Sequence, residues 1–201
     1  NTVKVMGGED WSDWLKALVA ADAIADGAIT FAYSYIGSEL TFPIYRDGSI
    51  GQAKKDLYKT ADDITATYKD KGIRGFVSIN KALVTQASAA IPVVPLYVTI
   101  LYKIMKKQGL HEGCIEQIDR LFRDKLPAGP EVDEEGLIRI DDYELRPEVQ
   151  KEVMEVWDEI STENIEEYAD IDGYWEDFFH MFGFNYDNVD YEEDFDLLAT
   201  K

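Results

Sequence analysis

Apolar residues recur at helical spacing through most of this chain and at strand spacing in short stretches, and that division sets the expected architecture. Between Glu9 and Asp22 the positions Trp11, Trp14, Leu15 and Leu18 fall three or four apart, which predicts a helix. From Ile29 to Ile36 the period drops to two. Ile29, Phe31, Tyr33 and Tyr35 alternate with Thr30, Ala32, Ser34 and Ile36, the pattern of a strand with one face of mostly small residues. Helical spacing returns from Ser49 to about Lys71, with a stripe of Ile50, Leu57, Ala61, Ile64 and Tyr68, and Ser49 with Gln52 reads as a capping box at its start. After the Lys71-Gly72 break, Gly75 to Ile79 predicts a second strand. Strand, loop, long helix, strand is the crossover unit of a parallel sheet covered by helices, so an α/β fold is expected.

Val94 to Gln108 is apolar on most sides before a basic end at Lys103, Lys106 and Lys107, which predicts a buried helix whose last lysines suit its dipole. A further helix is expected over Glu112 to Lys125 with Ile115, Ile118, Leu121 and Phe122 inward, then a Pro-, Gly- and acid-rich loop from Pro127 to Glu135. Leu137 to Ile140 forms a weak third strand. Pro147 opens a helix to about Ile160 on Val149, Val153, Val156 and Trp157, shorter helices follow near Glu163 and Gly173, and residues 187–201 read as an acidic, solvated tail. So few strands do not complete a doubly wound domain, and the sheet is expected to need partners from elsewhere.

At 201 residues and 46% hydrophobic composition the chain is long enough for one substantial core. Forty acidic against twenty basic residues, a formal charge of −20, exclude nucleic acid and anionic membrane as partners held by bulk charge. Cys114 is the single cysteine, which excludes an internal disulfide and points to a reducing compartment, the cytoplasm. No apolar run has the ~18 residues of a membrane span, no secretory signal is expected, and no exposed seam suggests more than a monomer.

One lysine departs from the pattern. Lys54 falls inside the apolar stripe of the helix from Ser49, near the end where the macrodipole disfavours a cation. Tyr45 lies nine residues earlier. Pro43 predicts an extended Phe42, and Asp47-Gly48 a turn, so a bent loop can aim the phenol back at the first turns of that helix. A phenol of ordinary pKa ~10 is a proton donor at neutral pH, and a nearby ammonium is expected to lower that pKa. Acid catalysis at a developing oxyanion is one reading of the pair; a turn tyrosine beside an outward-snorkelling lysine is the other. The small residues of Leu83 to Pro92, at the exit of the second strand, allow a ligand close to the backbone or simply close helix packing.

No glycine-rich dinucleotide or nucleotide phosphate loop is present. His111 and Cys114 lack further ligands for a zinc site, and Asp170-Ile171-Asp172-Gly173 lacks the EF-hand spacing, so no metal is expected.

The segments Tyr33-Ser34-Tyr35-Ile36-Gly37, Thr41-Phe42-Pro43-Ile44-Tyr45-Arg46-Asp47-Gly48-Ser49-Ile50-Gly51 and Thr85-Gln86-Ala87-Ser88-Ala89-Ala90-Ile91-Pro92 resemble the trans-2-enoyl-CoA reductases and the related enoyl-acyl-carrier-protein reductases. The likeness runs from Asn1 to the Val189-Asp190-Tyr191 tail and corresponds to the C-terminal part of those longer enzymes. It implies a Rossmann-like parallel sheet with extra helices around the substrate pocket, and NADH-dependent reduction of the carbon–carbon double bond of enoyl-CoA or enoyl-acyl-carrier-protein thioesters in fatty acid synthesis. By the same resemblance Tyr45 is the proton donor, Lys54 a catalytic and cofactor-binding lysine, Leu83, Val84 and Thr85 a cofactor-contacting stretch, and Tyr35 a substrate contact. Residues 1–201 are then one catalytic portion whose partner is the N-terminal half carrying the dinucleotide loop; alone, the portion is expected to be inactive and not to bind NADH tightly. A carbonyl reductase with the same Tyr and Lys, and a non-catalytic acidic interaction module, are the competing expectations. Between carriers, the acidic surface favours CoA unless Lys103, Lys106 and Lys107 cluster to receive an acidic protein.

Overall fold

The two-residue alternation is realised as a parallel sheet. A computed structural model describes residues 1–127 and 129–194, and in these β1 (Ile29–Ser34), β2 (Arg74–Ile79) and β3 (Leu137–Arg139) lie in the order β1-β2-β3. Phe31 pairs with Phe76 and Ser34 with Ile79 across the first ladder, and Val77 pairs with Leu137 across the second. Around the sheet are α1 (Thr2–Met6), α2 (Glu9–Ala20), α3 (Phe42–Tyr45), α4 (Ser49–Thr67), α5 (Gln86–Ala89), α6 (Val94–Lys107), α7 (Cys114–Arg120), α8 (Pro147–Glu159), α9 (Ile165–Tyr168) and α10 (Ile171–His180).

Alternation decides what each face carries. Val77, Ile79 and Leu137 meet Ala61 of α4, and Ile64 meets Leu15 of α2 and Ile73. Gly75 permits that close contact, since a Cβ there would sit 2.9 Å from the Ala61 carbonyl oxygen. The opposite face packs Phe31, Phe76, Ile138 and Ile140 against Leu121, in the widened turn Leu121–Lys125 that continues α7. Beyond the carboxyl ends of the strands lies the largest core. It is built on α6, apolar nearly all round, with Tyr97, Ile100, Leu101, Tyr102 and Met105 buried against Val149 and Val153 of α8 and Tyr174 of α10.

Several expectations are corrected. Ser49 does not cap α4: it is already the first helical residue, the extended Gly48 takes the cap position, and no side-chain cap bond forms. The helix ends at Thr67 and is followed by a tighter turn, Lys69–Lys71, closed by Gly72 at φ +68°. Trp14 faces solvent, leaving Leu15 as the buried residue of α2. On α7, Ile115 is 78% exposed and Phe122 also points outward, whereas Gln117 and Arg120 are buried. Polar bonding chooses that face: the Gln117 amide donates to the Ile140 carbonyl and accepts from the Lys81 N–H, and the Arg120 guanidinium donates to Glu112, Asp142 and the Ile140 carbonyl. The acidic tail is exposed over residues 187–194; its remainder, 195–201, lies outside the described residues. No helix among the described residues is long and apolar enough to cross a membrane.

Candidate active site

Tyr45 is presented by a short helix, not by a loop. The expected extension of Phe42 is overridden because Pro43 falls in the first turn of α3, where its missing N–H leaves nothing unpaired. The buried Thr41 fixes this turn: its carbonyl accepts the Tyr45 N–H at 3.0 Å and its hydroxyl accepts the Ser38 N–H at 3.1 Å. A side chain on Gly51 would collide with the Arg46 carbonyl, so glycine there lets α4 start hard against α3. Tyr45 and Lys54 converge as a result.

The Lys54 ammonium lies 5.5 Å from the centre of the Tyr45 ring and donates to the Ser34 hydroxyl, at the end of β1, over 3.1 Å. Burial lowers its pKa to about 8. The Tyr45 phenol moves the other way: burial raises its pKa, and the expected lowering by the ammonium does not occur. A ring 9% exposed loses more hydration of its anion than the nearby cation returns. Tyr45 therefore stays protonated throughout the neutral range, and its hydroxyl makes no hydrogen bond among the described residues. Both side chains line a groove of about 570 Å³, together with Ile36, Lys55, Tyr58 and Glu135.

Tyr35 stands beside them. Its ring meets that of Tyr45 edge to face at 4.9 Å, and its hydroxyl donates to Glu144 Oε1 over 2.9 Å. The chain leaving β2 is heavily bonded: Ala82 N–H donates to Glu144 Oε2, Val84 N–H to the Tyr102 hydroxyl, and Thr85 N–H to Ser88 Oγ. Thr85 caps α5 in return, accepting the Ser88 N–H at 3.0 Å. The Leu83 N–H and the Val84 carbonyl keep no protein partner among the described residues. Val84 and Tyr45 pack into the same core cluster, so all six residues picked out from sequence gather at one end of the sheet.

Sequence reading missed Glu144, Lys81, Tyr97 and Tyr102. Glu144 is fully buried, and Lys81, 2% exposed, donates to the Ala82 carbonyl at 2.8 Å with its pKa lowered by burial to about 8.

A parallel sheet covered by helices, with a tyrosine and a buried lysine beyond its strand ends, defines a Rossmann-like α/β protein. Comparison with known proteins narrows the class. A family model described as the trans-2-enoyl-CoA reductase catalytic region matches residues 1–127, and a second, described as the enoyl reductase FAD binding domain, matches residues 132–195. This chain belongs to the trans-2-enoyl-CoA reductase family. It is 57% identical over 196 residues to an NADH enoyl-acyl-carrier-protein reductase of Flavobacterium johnsoniae, covering 96% of this chain and 50% of that one. It is 53% identical over 199 residues to an NADH trans-2-enoyl-CoA reductase of Clostridium perfringens, covering 99% and 51%. The crystal structure of Clostridium acetobutulicum trans-2-enoyl-CoA reductase with NAD superposes at a TM-score of 0.91 with 50% identity, over 96% of this chain and 51% of that one. The Treponema denticola enzyme with NAD gives 0.89 and 48%, over 96% and 49%. The chain spans about half the length of the relatives it matches.

The flavin named in the second description does not fit the residues it covers. Residues 132–195 carry 23 acidic side chains against Arg139, Arg146 and Lys151, while residues 1–131 balance sixteen of each sign. Arg139 is held by Asp133 and Asp141, Lys151 lies 3.7 Å from Glu155, and Arg146 lies over the Tyr143 ring. With three cations against 23 acids, two of them already beside carboxylates, this segment is a poor setting for a flavin pyrophosphate.

Proposed function

We propose that residues 1–201 are the C-terminal catalytic portion of one enoyl reductase domain, which reduces the carbon–carbon double bond of trans-2-enoyl thioesters with NADH. The observation that carries this reading is the Tyr45 hydroxyl, protonated, without a partner and facing the Lys54 groove. NADH, when bound, supplies the hydride for the β-carbon. Negative charge then gathers on the thioester oxygen, where Tyr45 donates its hydrogen bond. Lys54, anchored on Ser34, offers its ammonium to the ribose hydroxyls and stabilises the charge beside Tyr45. The Leu83 N–H and the Val84 carbonyl, without protein partners among the described residues, are the donor and acceptor this stretch keeps for cofactor contact.

An N-terminal half supplies the phosphate-binding loop and pairs with the open edge of β1, beside which Tyr33 and Phe122 are exposed. CoA is the favoured carrier, because the three lysines that were to receive an acidic protein are already engaged: Lys106 with Asp170, Lys107 with Glu152, and Lys103 with the Glu166 carbonyl. Fatty acid synthesis in the cytoplasm is the proposed setting, which suits the free Cys114 thiol. Oxidation of NADH by the complete parent polypeptide, with crotonyl-CoA beside a 3-ketoacyl-CoA, tests the reading. Turnover of the enoyl substrate alone is expected; turnover of the keto substrate alone overturns it in favour of a carbonyl reductase.

A further inference from the structure

Glu144 is the most heavily engaged buried side chain beside the site. It sits in the connection between β3 and α8 and is fully buried. Oε1 accepts the Tyr35 hydroxyl at 2.9 Å and the Tyr97 hydroxyl at 2.7 Å, and Oε2 accepts the Ala82 N–H at 2.5 Å. Proton directions follow from one further contact. The Gln150 amide donates to the Tyr97 oxygen at 3.2 Å and to the Glu144 carbonyl at 2.7 Å, so Tyr97 must turn its own proton toward the carboxylate. Burial raises the Glu144 pKa against the opposing pull of the Ala82 N–H, the Tyr97 hydroxyl and the charge of Lys81, and it is the convergence of donors on both oxygens that fits the ionised form. An ionised carboxylate only accepts, so the Tyr35 proton is committed to it as well.

Two tyrosines with rings in contact thus differ: Tyr45 lines the groove with a free hydroxyl, and Tyr35, behind it, has its hydroxyl bound to Glu144. We propose that Glu144 is a positioning residue for the reductase reaction: by holding the Tyr35 proton it fixes that ring against Tyr45 and leaves Tyr45 as the one phenol of the pair able to donate to the substrate oxygen. The inference rests on the reductase reading. It also joins three otherwise separate pieces, since the same carboxylate ties Tyr35 beyond β1, Ala82 beyond β2 and Tyr97 on α6.

Glu144→Gln in the complete parent enzyme is the informative change. An amide cannot present N–H to the Ala82 N–H, so its oxygen must turn there and its NH2 toward the tyrosines, which reverses the bond at Tyr35 and releases that proton. Steady-state kinetics with crotonyl-CoA are compared for wild type, Glu144→Gln, Tyr35→Phe and the double variant. The expected result is a fall in kcat of about 10-fold to 100-fold for Glu144→Gln, with less than about a twofold further change when Tyr35→Phe is already present. The slowly exchanging hydroxyl proton signal of Tyr35 should vanish from the NMR spectrum of the cofactor-free Glu144→Gln protein, a readout that needs no turnover. Equal kcat losses in both backgrounds, or an unchanged Tyr35 signal, would overturn the proposal while leaving the reductase reading standing. Absence of wild-type turnover would remove both. If the Gln variant melts below the assay temperature, Glu144→Asp takes its place in the same cycle, and kcat multiplicativity there overturns the proposal equally.

Discussion

The rings of Tyr35 and Tyr45 touch edge to face at 4.9 Å, yet only Tyr35 has its hydroxyl bonded to protein. The difference separates a side chain that supports its neighbour from one that can act in the groove. Tyr45→Phe removes one oxygen and keeps the packing of a nearly buried ring. The expected outcome in the parent enzyme is a loss of about 100-fold or more in kcat with crotonyl-CoA and an unchanged melting temperature. A kcat within a few-fold of wild type would show that the proton comes from elsewhere.

Lys54 gives the site a pH limit. Its pKa is lowered to about 8, so in the free enzyme the ammonium is present below that value and is lost as pH rises through it. If the charge grips the cofactor, kcat/KM for NADH falls above about pH 8. Lys81 has a similarly lowered pKa, so the pH profile alone does not assign the limb. Lys54→Arg does: a guanidinium remains charged, and the alkaline limb should move beyond the range where the protein is stable. A limb unmoved by this substitution points to Lys81 or to another group.

Purified parent enzyme should carry no flavin. The excess of 23 acidic over three basic side chains across residues 132–195 predicts a colourless protein whose activity is unchanged by added FAD. Stoichiometric flavin in the visible absorption spectrum would contradict this reading.

Val93 enters α6 at φ +76°, ψ −37°, between Pro92 and the Val94-Pro95 start of the helix. A β-branched residue is strained there, and with 44% of its surface exposed it gives little packing in return. Val93→Gly should stabilise the protein by about 1 kcal/mol, the relief of strain exceeding the added freedom of the unfolded chain. Denaturant midpoints of the two proteins decide the sign.

How much was legible varied with the range of the forces. Period two found β1, the Lys71-Gly72 break marked the start of β2, and period three-to-four found α4 with Lys54 inside its stripe, because those patterns are local. The resemblance then placed Tyr35, Tyr45, Lys54 and Leu83 to Thr85 together. Glu144 was hidden because Asp141-Asp142-Tyr143-Glu144 looks like a solvated loop, and its burial depends on Tyr35, 109 residues away. The inner face of α7 was misread for a related reason: Gln117 and Arg120 outrank Ile115 and Phe122 once the Lys81 N–H, the Ile140 carbonyl and Glu112 demand partners. The reciprocal cap expected at Ser49 exists at Thr85 and Ser88, where serine replaces the usual glutamate or glutamine.

The two outer strands of the sheet differ in kind. β3 is three residues long and carries Arg139 between Asp133 and Asp141, the blunted form that resists unwanted pairing. β1 is six residues of Ile-Thr-Phe-Ala-Tyr-Ser, with no charge, no proline and no bulge to turn a neighbour away. Its composition is that of a strand meant for the interior. Left uncovered, it is a template for a second copy of itself, so these residues prepared on their own would be lost to edge-to-edge aggregation well before any fault in their chemistry could be noticed.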